Sequence, residues 1–206
     1  MIAGKNGVTA DTVKNILFGA GTIHKNLKFT KGSDGKGGTW NFTESLVGAT
    51  SGGSKLSIVP EVYDVPVDGA DVLTVGLRVK TGEKATLEVN FIELSKEVIA
   101  AAAMGVLGTS DVEGYDMIES KPDIEIGDYW ANIAFVGKML NNQPVIAILD
   151  NALCTTGFET EGKNKEGAVG KYTFECHADP ASDMDKLPWR IYYPKAATTT
   201  ATTTTE

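Results

Sequence analysis

The sequence predicts a mainly β protein with one clear helix, on three observations. Glycine is frequent, at 23 of 206 residues, and prolines are scattered among them, the pattern of short strands joined by many turns. Apolar and polar residues alternate over several stretches, as they do in strands with one buried face. One run alone, 98–104, is apolar almost all round and follows a capping residue, which reads as a helix buried against other structure. Hydrophobic residues at 42% and charged residues at 22% are ordinary globular values. One substantial domain over 1–195 is expected, burying roughly 70% of its unfolded surface.

The opening Met1-Ile2-Ala3-Gly4-Lys5-Asn6-Gly7 has no basic stretch leading into an apolar run, so no secretory export is expected. The longest apolar run, 98–104, falls far short of the ~20 residues of a membrane-spanning helix, and a soluble chain with no membrane partner is expected. The stretch 31–53 holds seven glycines and reads as one long loop of the kind that is functional or disordered. Trp40, Phe42, Leu46 and Val47 interrupt it and need cover, from a partner or from their own domain.

From 55 to 67 the residues Ile58, Val59, Val62, Val65 and Val67 read as a strand, with Pro60 and Pro66 confining it to a sheet edge or a bulge. After the Asp68-Gly69 turn signal, a hairpin is expected with arms at 77–80 and 84–94 about Thr81-Gly82-Glu83. Ala85, Leu87, Val89 and Phe91 alternate with Thr86, Glu88 and Asn90, and Leu77 and Val79 with Arg78 and Lys80. The set Arg78, Lys80, Thr86, Glu88 and Asn90 is therefore expected on one polar face. The alternation slips at Phe91-Ile92-Glu93-Leu94, a bulge or the end of the strand. Ser95 caps the helix, which runs to about Met104 and stops at Gly105. Strands follow at 124–126, 129–138, 144–149 and 168–177, with turns at Asn141-Asn142 and Gly162-Lys163-Asn164. The stretch 196–206, nearly all threonine and alanine, reads as a disordered tail.

The residues of chemistry do not assemble into a motif. Cys154 and Cys176 are too few for a disulfide framework or a thiolate zinc site, and without a secretory route the Asn41-Phe42-Thr43 sequon is irrelevant. Gly35-Lys36-Gly37 lacks the hydroxyl and spacing of a phosphate loop, and Gly19-Ala20-Gly21-Thr22-Ile23-His24 puts histidine where a dinucleotide fingerprint has its third glycine. His24 and His177 are the only imidazoles. Cys176 falls on the core face of its strand and His177 on the outward one, so the neighbours do not form a nucleophile and base pair. Asp179, Asp183 and Asp185 read as a solvated acidic turn without the pattern of a calcium loop. No catalytic, cofactor or metal site is expected. The net charge of −8 gives no global attraction for nucleic acid.

Ordered motifs then point to a family. Tyr129-Trp130-Ala131-Asn132-Ile133-Ala134-Phe135-Val136-Gly137, followed by Gln143-Pro144-Val145-Ile146 and Asn151-Ala152-Leu153, resembles the major tail tube proteins of long-tailed, siphovirus-type bacteriophages of Gram-positive bacteria. Val65-Pro66-Val67-Asp68-Gly69-Ala70 before Gly76-Leu77-Arg78-Val79-Lys80, Gly157-Phe158-Glu159-Thr160, and the closing Leu187-Pro188-Trp189-Arg190-Ile191-Tyr192-Tyr193-Pro194 extend the resemblance over most of 55–194. It implies a tail-tube-type β-sandwich or barrel with one flanking α-helix, a long loop and extended termini. Six copies would close into a ring, and rings would stack into a hollow tube in the virion, assembled in the host cytoplasm. Tape measure, tail terminator and baseplate proteins would be partners, and DNA would pass through without specific binding. The inner tube of a contractile tail or injection particle is the alternative in the same class, and a monomeric β-sandwich binding module the alternative in another. Within the tube reading, Arg78, Lys80, Thr86, Glu88 and Asn90 are the candidates for the lumen face. Trp40, Phe42, Leu46 and Val47 are the candidates for contacts between rings.

Overall fold

A computed structural model describes residues 7–9, 11–162 and 164–195. The expected tail at 196–206, the opening 1–6 and Lys163 of the expected turn lie outside the described residues. The fold is mainly β, as expected. Its strands are β1 (Leu17–Lys25), β2 (Phe29–Lys31), β3 (Gly38–Trp40), β4 (Thr50–Asp64), β5 (Arg78–Phe91), β6 (Val106–Gly108), β7 (Met117–Glu119), β8 (Trp130–Met139), β9 (Pro144–Cys154), β10 (Gly170–Cys176) and β11 (Trp189–Tyr192). A single helical turn, α1 (Phe42–Ser45), precedes β4, and the helix α2 (Lys96–Ala103) follows β5.

Seven strands form one antiparallel sheet in the order β1-β8-β9-β10-β5-β4, with β11 also paired to β9. The two ends of that path meet. β1 lies against β4, Val47 N–H donates to the Ile23 carbonyl at 3.0 Å, and His24 bridges to Leu46. The sheet is therefore rolled up, in the manner of a barrel, around Ile23, Leu87, Val89, Phe91, Ile133, Leu149, Tyr172 and Phe174. Val98 and Ala102 of α2 pack onto this core. The helix is bounded as the sequence predicts: the Ser95 hydroxyl accepts from Val98 N–H, and Met104 closes it at φ 49° ahead of Gly105, the left-handed cap that ends many helices.

The pair β8–β9 is buried on both faces, which is why 144–149 reads as a nearly continuous apolar run. Ile133 opposite Leu149 faces the main core, whereas Ala134 opposite Ile148 faces a second cluster with Leu27, Ile146, Trp40 and Phe42. That second cluster is covered by 26–46, which corrects the reading of 31–53 as a single loop. The stretch contains the end of a β2–β3 hairpin, α1 and the start of β4, because its apolar residues find cover on their own domain. The Asn132 side chain ties the excursion down, accepting from Leu27 N–H at 2.8 Å and donating to the Leu27 carbonyl at 3.2 Å.

Two further expectations are corrected. Thr81-Gly82-Glu83 is not the turn of a hairpin; β5 runs straight through it. Glu61 pairs with Gly82 and Val62 with Lys80, leaving Thr81 as the extra residue of a bulge, so a turn-like tripeptide here serves to kink a strand. The true hairpin is β4–β5, turning over 65–77, with β4 at the end of the strand order, where Pro60 pairs in register with Glu83 and its missing N–H costs no ladder bond on the open side. At 124–126 there is no strand: Ile126–Asp128 is a short 3-10 turn, and Ile126 stands 92% exposed. Strands β1, β2, β3, β6, β7 and β11 lie outside every stretch that the sequence predicts as strand.

Candidate assembly surfaces

The titratable groups that sequence reasoning singled out are built into the fold. His24 is buried in β1, with Nε2 2.8 Å from the Thr22 hydroxyl and Nδ1 2.9 Å from the Ser45 hydroxyl, which itself donates to the Asn41 carbonyl at 2.8 Å. Burial holds its pKa below the ordinary value. The arrangement joins α1 to β1 through the Ser45 hydroxyl. The Cys176 thiol lies on the core face, as expected, and donates to the Asp150 carbonyl. Burial pushes its pKa up to about 12, which leaves almost no thiolate near neutrality. Among the described residues no group of three or more His, Cys, Asp or Glu side chains is placed to hold a metal ion, and no helix is long and apolar enough to cross a membrane.

The surfaces are more informative than the clefts. The outward face of β4, β5 and β10 carries an ion-pair lattice. Glu88 receives Lys171 at 2.8 Å on one side and Lys55 at 3.3 Å on the other, and Lys84 meets Glu175 at 2.9 Å. Both lysines hold the Glu88 carboxyl below its usual pKa, Lys171 most. Thr86, Glu88 and Asn90 share this face, alternating with Ala85, Leu87, Val89 and Phe91, which are all but completely buried. Arg78 and Lys80 do not share it. Opposed residues in a ladder point the same way, so Lys80 follows Val62 while Gly82 follows Glu61, and the bulge at Thr81 turns the first arm over. The ion pairs agree: Lys80 reaches Glu83, and Glu83 also accepts from the Trp189 indole, on the core side of the sheet. The five residues expected on one face are thus split, three and two, by a residue whose bulge the sequence disguises as a turn.

Past the last residue that β10 pairs, the β4–β5 hairpin runs on without a partner on the β5 side. β10 pairs with β5 only from Thr86 to Phe91, so the stretches 59–64 and 78–84, with the Thr81 bulge among them, form a two-stranded ribbon to which no third strand pairs among the described residues. At about 3.3 Å per residue it is roughly 20 Å long. Most of its residues are exposed, Gly82 and Glu83 excepted, and the exposed ones include the apolar Val59, Val62, Tyr63 and Val79, with Val67, Val72 at 78%, Leu73 at 76% and a fully exposed Val75 in the turn that joins the arms. Asp64 accepts both Nε and Nη2 of Arg78, at 2.7 and 2.8 Å, which pins the two strands together.

The four candidates for contacts between rings are divided as well. Trp40 and Phe42 pack on the second cluster and Val47 on the main core, and only Leu46 is substantially exposed. Charge is segregated to a degree that sequence totals conceal. The excursion 111–128 between β6 and β8 carries seven carboxylates and one lysine, most of the chain's net negative charge, while the lattice face is close to neutral.

No protein-family model matches this chain, and no curated protein matches its sequence.

Proposed function

We propose that this chain is a structural subunit that assembles with copies of itself into stacked hexameric rings, forming the hollow tail tube of a bacteriophage virion through which DNA passes. The observation that carries the reading is the β4–β5 ribbon. An isolated two-stranded hairpin is at best marginal in water, and a cluster of exposed Val and Leu on a monomer marks an interaction surface. A ribbon that its own domain leaves uncovered is supplied with cover by a neighbouring copy, and repetition of one such heterologous contact closes a ring or builds a stack. The ordered motifs across 55–194 support the same reading, with tape measure, terminator and baseplate proteins as the further partners.

The lattice face suits a channel wall. A lysine binds phosphate as a free cation releasing counterions from the nucleic acid, but Lys55, Lys84 and Lys171 are each held by a glutamate. DNA sliding past Thr86, Glu88 and Asn90 would have to break those pairs to stick. Passage without adhesion therefore follows from paired charge and needs no excess of negative charge.

The test is negative-stain electron microscopy of the purified protein at high concentration, with size-exclusion chromatography and light scattering. Rings or hollow tubes with a sixfold end view are the expected result. A strictly monomeric chain at every concentration would overturn the reading.

A further inference from the structure

Two hairpins stand outside the main sheet, and they carry opposite charge. The β2–β3 hairpin pairs only with itself and exposes Lys28, Lys31 and Lys36 against Asp34 alone, beside the half-exposed ring of Phe29. The β6–β7 hairpin, with the loop that follows it, also pairs only with itself and exposes Asp111, Glu113, Glu119 and Asp123 among the apolar side chains of Val112, Tyr115 and Ile124. Internal pairing consumes part of the acidic set: Lys121 holds Asp128 and Glu125, and Lys96 of α2 holds Asp116. The remainder is free of it. Among the described residues no ion pair engages Asp111, Glu113, Glu119 or Asp123, nor Lys28, Lys31 or Lys36, and none joins one hairpin to the other within the chain.

We infer that the basic β2–β3 hairpin of one copy docks on the acidic, apolar surface of the β6–β7 excursion of the next. The occupant is a second copy because the complementary surface is present on the same chain. Each subunit offers one basic and one acidic element, so the contact is heterologous and repeats in a line or a closed ring. Opposite potentials steer such surfaces together and fix their register, while the exposed apolar residues on both sides supply area to bury. This inference rests on the tube reading above and adds a contact that does not involve the ribbon.

The experiment is charge reversal followed by exchange. One variant carries Lys28→Glu, Lys31→Glu and Lys36→Glu; a second carries Asp111→Lys, Glu113→Lys and Asp123→Lys; a third carries all six. Assembly is followed by light scattering and electron microscopy, with thermal unfolding as the check that each variant is folded. Each single-surface variant should need at least about tenfold more protein to assemble, since several close charge pairs become repulsive. The six-fold variant should assemble like the original chain, and the two single-surface variants should co-assemble when mixed. Should a variant fail to fold, the unaltered chain decides by itself: raising salt from about 0.1 M to about 1 M, which shortens the screening length from about 10 Å to about 3 Å, should weaken its assembly. Tubes that form equally well in every variant and at either salt concentration overturn this contact and leave the tube reading standing. A single-surface defect that the six-fold variant does not repair also overturns it. An original chain that never assembles overturns both.

Discussion

The two halves of the β4–β5 hairpin share one hydrogen-bonded ladder and meet opposite fates. In the base, Leu56 and Ile58 lie opposite Leu87 and Ala85 and pack into the rolled core. In the ribbon, Val62 lies opposite Lys80 and Tyr63 opposite Val79, with water on both sides. Strand propensity cannot tell these halves apart, because Val, Ile and Tyr favour both. What separates them is the third strand: β10 lies beside β5 in the base and is gone beyond it. Folding free energy is concentrated in the base, and the ribbon's apolar side chains contribute only when another molecule covers them.

The largest expected effect is therefore in the base. Phe91→Ala removes a fully buried ring that packs against Tyr172, and should lower the stability of the unassembled chain by about 3–5 kcal/mol, measured by urea unfolding. The contrasting change is Val72→Ser with Leu73→Ser and Val75→Ser at the ribbon tip. Each should alter stability by no more than about 0.5 kcal/mol, yet together they should abolish rings and tubes. A ribbon variant that unfolds as readily as Phe91→Ala would mean that the tip belongs to the core after all. One that still assembles would remove the ribbon from the interface.

How much of this was legible varies with how locally each feature is encoded. The helix was readable to within a residue or two because Ser95 and Gly105 are local signals, and strands β8 and β10 because their apolar patterns are long. The bulge was not. Thr81-Gly82-Glu83 has the composition of a turn, and only pairing with Glu61 and Val62, some twenty residues away, shows that the chain does not reverse there. That one misreading also put Arg78 and Lys80 on the wrong face. Strand β1 was hidden by Gly19 and Gly21, both at positive φ beside the register shift between Phe18 and Thr22. Trp40, Phe42 and Val47 were recognised as needing cover, but which surface covers them is a tertiary fact. The ribbon's isolation depends on where β10 ends, and no pattern within 59–84 records that.

The smallest expected effect lies in the buried seam where β1 meets the start of β4, and it concerns pH. His24 sits there, hydrogen-bonded to Thr22 and Ser45, and burial lowers its pKa below 6.5. In the unfolded chain the same imidazole titrates near 6.5, so between the folded and unfolded values the unfolded state binds more protons. Stability must then rise with pH across that window. The contribution of neutral His24 is fully present above 6.5 and is lost as pH falls toward the folded value, below which the loss stops growing. Thr22 and Ser45 can both accept from an imidazolium, which softens the penalty and makes this the weakest of the effects. The measurement is unfolding free energy against pH for the original chain and for His24→Gln. The original should lose stability more steeply below pH 6.5, with the difference between the two curves flattening at lower pH. Parallel curves would show that the seam tolerates the charged ring, and that hydrogen bonding there outweighs desolvation.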